Sequence, residues 1–142
     1  MTRLFLATLL LASCGRNEGS PELQISDAWA RETVAGQPAT AAYLTIANNG
    51  SGADRLVAVD APAPATATVH ESSNAGGVTR MRPIGAGLDV PARTTVRLTP
   101  GGTHVMITGL TSPLEPGDRL TLTLRFERSG ERAVEIPVRS AL

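Results

Sequence analysis

Hydrophobic and polar positions alternate with a period of two along most of the chain, and from Leu23 onward no 3.6-residue helical period takes over. The alternation is plainest from Arg119 to Arg128. Leu120, Leu122, Leu124 and Phe126 face one way there, while Arg119, Thr121, Thr123, Arg125 and Glu127 face the other. Ala133 to Val138 repeats it through Val134, Ile136 and Val138, so the two runs predict a hairpin across Ser129-Gly130. Thr94 to Leu98 and the run around His104 predict a second hairpin, with Pro100-Gly101-Gly102 as its connection. Earlier runs at Leu23–Ile25, Ala28–Glu32, Ala41–Asn48, Arg55–Asp60, Thr66–Glu71 and Val78–Arg82 are separated by Gly, Pro, Asn and Asp punctuation. About nine short strands at regular spacing predict an all-β domain built as a β-sandwich.

The first residues break this pattern. Arg3 precedes the apolar run Leu4 to Leu11, which is too short to span a bilayer and reads as the core of a secretory signal. Its ending, Leu11-Ala12-Ser13-Cys14, resembles the bacterial lipobox, in which the cysteine becomes the lipidated first residue of the mature protein. Acyl chains on Cys14 would then replace any transmembrane helix and hold the protein to a membrane facing the periplasm. The plain alternative is an ordinary secretory signal cleaved nearby. Gly15 follows the cysteine where Asp is associated with inner-membrane retention, so either membrane is open as a destination. Residues 1–13 are therefore read as signal peptide, 14–21 as a polar tether and 22–142 as the folded domain.

Thirteen basic residues, all Arg, balance thirteen acidic ones, so the chain lacks the electrostatic footprint of a nucleic-acid binder. Phe, Tyr and Trp together supply four residues, too few for a base-stacking platform. Cys14 is the only cysteine, which excludes a disulfide within the domain, a cysteine-ligated zinc and a blue-copper centre.

The candidate chemistry is concentrated in one window. His70 and His104 are the only histidines, and Met81 and Met106 the only methionines after the initiator. Period-two spacing puts His104 and Met106 on one face of their strand and Val105 and Ile107 on the other, which reads as core. Ala65, Ala67 and Val69 likewise look inward, leaving Thr66, Thr68 and His70 on the opposite face. A single histidine on a strand is ordinarily solvated, and a single methionine is ordinarily core filler. Their joint occurrence off the apolar stripes points instead to a ligand set gathered at one edge of the sandwich.

The pattern His70, ten residues, Met81, twenty-two residues, His104, one residue, Met106 resembles the periplasmic copper chaperones called PCu(A)C. So do Val78-Thr79-Arg80-Met81-Arg82-Pro83, Gly101-Gly102-Thr103-His104-Val105-Met106, Asp27-Ala28-Trp29-Ala30-Arg31 and Ala42-Tyr43-Leu44. The likeness covers roughly Leu23 to Val138. This chain has Glu71 where many members carry a Met, and its spacing between the second and third ligands is one residue longer. The resemblance implies a cupredoxin-like or immunoglobulin-like Greek key. It also implies copper transfer to an acceptor such as a respiratory oxidase subunit or another assembly factor.

Two thioethers and two imidazoles are soft, neutral ligands that suit Cu(I) and disfavour Mg, Ca or Mn. Imidazole accepts either oxidation state, so Cu(II) is a second form that Glu71 or water would complete. Glu71 otherwise reads as a solvated edge charge, Arg80 and Arg82 as an exposed charged face, and Trp29 and Tyr43 as core or rim packing. No Gly-x-Ser-x-Gly elbow or placed acid supports an enzyme. The alternative function is a β-sandwich envelope lipoprotein that binds a protein partner and no metal.

Overall fold

The computed structural model describes residues 19–140, which form an all-β domain of ten strands. The signal segment and Cys14 lie outside the described residues. The strands are β1 (Leu23–Arg31), β2 (Ala39–Asn48), β3 (Asp54–Asp60), β4 (Thr66–Ala75), β5 (Val78–Pro83), β6 (Leu88–Val90), β7 (Thr94–Leu98), β8 (Thr103–Thr108), β9 (Arg119–Phe126) and β10 (Gly130–Arg139).

Hydrogen bonding runs β5-β4-β8-β2-β1-β10-β9-β3-β6, with β7 added beside β2. The path turns over between β1 and β10, whose parallel contact is confined to Ala30 with Val138 and Arg31 with Arg139. Two layers then face each other across one core. Leu44, Ile46, Val69, Val105 and Ile107 come from one layer, and Leu56, Val90, Leu122, Leu124 and Ile136 from the other. The alternation read along β9 is realised, since Leu122 and Leu124 are fully buried while Arg125 is exposed.

Three features differ from the sequence expectation. The runs Leu23–Ile25 and Ala28–Glu32 belong to one strand interrupted by a bulge between Ser26 and Trp29. Asp27 absorbs the extra residue at φ 53°, a left-handed conformation that Asp tolerates better than most side chains. The bulge sets Trp29 opposite Tyr43, with ring centroids 4.7 Å apart. Second, β6 pairs three residues of β3 and buries Val90 completely. It is too short for its alternation to register in the sequence.

Third, β7 and β8 do not form the expected hairpin. Both run antiparallel to β2, β8 along Ala39–Ala42 and β7 along Leu44–Asn48. Two strands antiparallel to the same third strand point the same way, so they succeed one another along its edge. Residues 99–102 form a protruding loop between them, closed by Thr99 N–H to Thr103 O at 2.9 Å and Gly102 N–H to Thr99 O at 3.0 Å. Gly101 sits at φ 81° in this loop, where a side chain would be strained.

Away from this loop the sandwich is fastened by Asn48, which is 1% exposed. Its Nδ2 donates to Gly52 O and Val90 O at 2.8 and 3.2 Å, and its Oδ1 accepts from Glu22 N–H and Gly50 N–H at 3.1 and 3.0 Å. Every polar valence of the amide is used. Asn48→Ala leaves these groups buried without partners and should cost about 3 kcal/mol, lowering the melting temperature by about 10 °C. Thermal unfolding followed by circular dichroism measures it, and a shift under about 2 °C would show that water replaces the amide.

Candidate metal centre

The site is set by the pairing of β4 with β8. In that antiparallel register His70 lies directly opposite His104, Val69 opposite Val105 and Thr68 opposite Met106. Directly opposed residues project from the same face of a sheet. The inward valines, 8% and 0% exposed, are held by the core, so both histidines must emerge on the other face. Their ring centroids are 6.0 Å apart, tilted by 58°. On the next strand Met81 lies opposite Ser72, which is two residues from His70, so it joins the same face. Both histidines and both internal methionines thus share one face near the β5 edge.

His104 and Met106 lie on the face of β8 opposite Val105 and Ile107, as the alternation predicts, but that face is not open to solvent. Met106 is half-buried and His104 is 4% exposed. Alternation identifies a face but not what covers it. Tyr43 and Ala41 of β2, Met81 of β5 and Gly101 of the protruding loop surround His104 in a groove of about 580 Å³ that also takes in Met106. Met81 forms the open rim, 57% exposed.

The protruding loop also fixes the His104 tautomer. His104 Nδ1 lies 3.0 Å from Gly102 O, and a carbonyl only accepts, so Nδ1 carries the proton and donates it there. The Nε2 lone pair is left available, which is the arrangement a ligating histidine uses. Gly102 O also accepts from Ser72 N–H at 3.2 Å, which ties the loop to β4. Nothing in the residue types signalled this contact, because it comes from a backbone carbonyl whose position depends on how β7 and β8 share β2.

The His70 ring is the less supported of the two. Its Nδ1 is buried and has no hydrogen-bond partner. Burial, and then the neighbouring His104, hold its pKa below the ordinary value near 6.5, so the ring is neutral at pH 7. A neutral, partly dehydrated imidazole with an orphaned nitrogen fits a metal better than a proton.

Glu71 does not join this group. It neighbours His70 in sequence and so lies on the opposite face of β4, where Arg82 stands opposite it and its Nη2 lies 3.0 Å from Glu71 Oε2. A role for Glu71 in completing a Cu(II) site loses its geometric basis. Among the described residues, no three His, Cys, Asp or Glu side chains are placed to hold a metal. A donor set that includes two thioethers would select against hard cations.

The chain's relatives agree with this architecture. Residues 23–138 match the family model of LpqE-like lipoproteins. The protein Lxx21020 of Leifsonia xyli subsp. xyli, named as a lipoprotein, is 36% identical over 117 residues, covering 82% of this chain and 69% of its own. Among solved structures, the apo PCuAC domain of PmoF1 is 27% identical with a TM-score of 0.69, covering 84% of this chain and 94% of that one. The Cu(I) form of DR1885 from Deinococcus radiodurans is 27% identical with a TM-score of 0.57, covering 82% and 77%. The copper-bound PCuAC domain of PmoF2, 22% identical over 84% of this chain and 93% of that one with a TM-score of 0.69, shares the fold. The chain belongs to the LpqE-like family, and its fold is that of PCuAC domains.

Proposed function

We propose that this protein is a periplasmic copper metallochaperone, tethered to a membrane through lipid on Cys14, that carries Cu(I) on His70, Met81, His104 and Met106. The observation that carries the reading is the convergence of all four on one face, with His104 Nε2 freed by the Gly102 contact. The Cu(I)-bound relative of the same fold supports the choice of ion. Four neutral ligands leave the ion's charge in place, which suits the site to holding the ion and handing it on. Transfer would proceed by ligand exchange to an acceptor that supplies its own soft donors, such as an oxidase copper centre or another assembly factor.

The test is anaerobic titration of the domain, cut after Cys14, with Cu(I) against a chromophoric chelator. The parent should take up a single equivalent. Met81→Leu/Met106→Leu keeps side-chain volume, should cost less than about 1.5 kcal/mol per site, and should weaken binding by about 100-fold or more. His104→Ala/Met106→Ala should abolish binding, at about 2 kcal/mol of stability for the lost Gly102 contact and the buried ring. If parent and variants compete equally poorly, the four residues hold no copper and the protein is an interaction lipoprotein.

Acid should act on the apo fold in a defined direction. Because the folded-state pKa of His70 lies below 6.5, its contribution to stability is complete above that pH and is lost as pH falls through 6.5 toward the folded value. Urea unfolding of apo protein between pH 7.5 and 5 should show this decline, and His70→Gln should flatten it. The same protons compete with metal, so Cu(I) affinity should fall over the acid side of that range. A parent whose stability is flat from pH 7.5 to 5 contradicts the assignment.

A further inference from the structure

β5 ends its side of the sheet and pairs with β4 alone, so its other edge is open. Which backbone groups face that edge follows from the parity of the ladder, because antiparallel partners exchange both hydrogen bonds at every second pair and none between. Two independent points fix the parity. At one end Gly76 and Gly77, at φ 63° and 80°, form a two-residue turn of the mirror-image type that bonds Ala75 to Val78. At the other end Ile84 N–H donates to Val69 O at 2.9 Å. Counted in twos from either end, Val78, Arg80 and Arg82 bond back to β4, and Thr79, Met81 and Pro83 turn their backbone outward. Pro83 has no N–H to offer and sits at an outward position, where no ladder bond is lost. Thr79 and Met81 keep both N–H and C=O free of the ladder, and every residue of β5 is exposed.

Edges like this are ordinarily blunted by charge, and here the charge is of one sign. Alternation puts Thr79 and Met81 on the groove face, where both line the groove, and Val78, Arg80 and Arg82 on the reverse. The strand carries no acid, and the carboxylate opposite it, Glu71, already holds Arg82 at 3.0 Å. Each register that pairs Met81 with Thr79, Met81 or Pro83 of a second copy sets arginine opposite arginine, which is destabilising. The same two arginines favour a strand with carboxylates at i and i+2. The edge is closed to copies of itself and open to an acidic strand.

Building on the metal reading, we infer that the β5 edge is where the copper acceptor docks. An extended acidic segment adds to the sheet as a further strand, with a soft donor opposite Met81 and carboxylates on either side of it, opposite Arg80 and Arg82. Directly opposed residues share a face, with Cα atoms about 5.5 Å apart in a bonded pair, so strand addition sets the entering donor alongside the thioether it replaces. The copper bond to Met81 Sδ breaks as the bond to the acceptor's thioether or imidazole forms, and copper stays Cu(I) throughout. Backbone bonds give the docking its affinity, and the alternating carboxylates give it its register.

The probe is the capped peptide Thr-Glu-Met-Glu-Thr-Val, which antiparallel pairing sets against Pro83 back to Val78. Added to isotope-labelled apo protein, it should shift the Thr79 and Met81 amide resonances and slow their hydrogen exchange about tenfold at saturation. Methylating the peptide nitrogens of its Met and second Thr keeps every side chain but removes the N–H groups that reach Met81 O and Thr79 O. That change should weaken binding about tenfold. Exchanging both Glu for Lys should weaken it similarly, and Arg80→Glu/Arg82→Glu should reverse that preference. Equal binding of the methylated peptide, unshifted amides, or exchange that slows with protein concentration alone would each overturn strand addition. These readouts need no metal. With copper loaded, the Met peptide should speed copper loss to a chelator about tenfold over a norleucine peptide of equal affinity, and equal rates overturn the donor position opposite Met81. A protein that binds the peptide yet fails the Cu(I) titration overturns the metal reading and leaves the edge as a site for acidic strands.

Discussion

The register of β4 against β8 is the constraint on which the site depends. A slip of one residue would turn His70 into the core and bring Val69 out, because side chains alternate across a strand. Val69, Val105 and Ile107 prevent the slip, since all three are buried in the sandwich core. Packing on the inner face thereby determines chemistry on the outer face. Each ladder step that seats a valine inward seats a histidine outward beside its partner, and no extra device is needed to bring the two rings to 6.0 Å.

The second determinant is less economical. β2 is long enough to accept β8 on its first half and β7 on its second, and the chain must cross the junction in four residues. The protruding loop that results has its own turn bonds and a glycine at positive φ. It also turns Gly102 O back toward the imidazole. The loop that a simple hairpin would not have made is what orients His104. Its anchorage to Ser72 N–H couples the tautomer of one proposed ligand to the strand that carries the other.

Much of this was legible in the sequence, for a physical reason. Period-two alternation and Gly or Pro punctuation are local, so strands such as β9 and β10 and the facing of Val69 against His70 could be read directly. The four soft residues could be read because a composition so poor in His and Met makes their clustering conspicuous. What could not be read depends on pairing between distant segments. The shared edge of β2, the bulge at Asp27, the short β6 and the covering of His104 all arise from which strands become neighbours. Glu71 shows the same limit: adjacency to His70 in sequence suggested a shared role, whereas strand geometry sends neighbours to opposite faces and gives Glu71 to Arg82.

The burial of the two ends of the ligand set is unequal, and that inequality bears on how a carrier could both hold and release an ion. His104 is 4% exposed, oriented by a carbonyl and backed by β2, so its position is determined by the folded sandwich. Met81 is 57% exposed on β5, an edge strand all six of whose residues are exposed. A thioether there makes few packing contacts that would have to break for it to move. On the proposed ligand set, an incoming donor would reach the ion from the exposed Met81 side of the groove. Ligand exchange requires the entering and leaving donors to coexist for a moment at the metal. On the proposed ligand set, a buried imidazole on the inside and a solvent-facing thioether on the outside would supply that condition without opening the core.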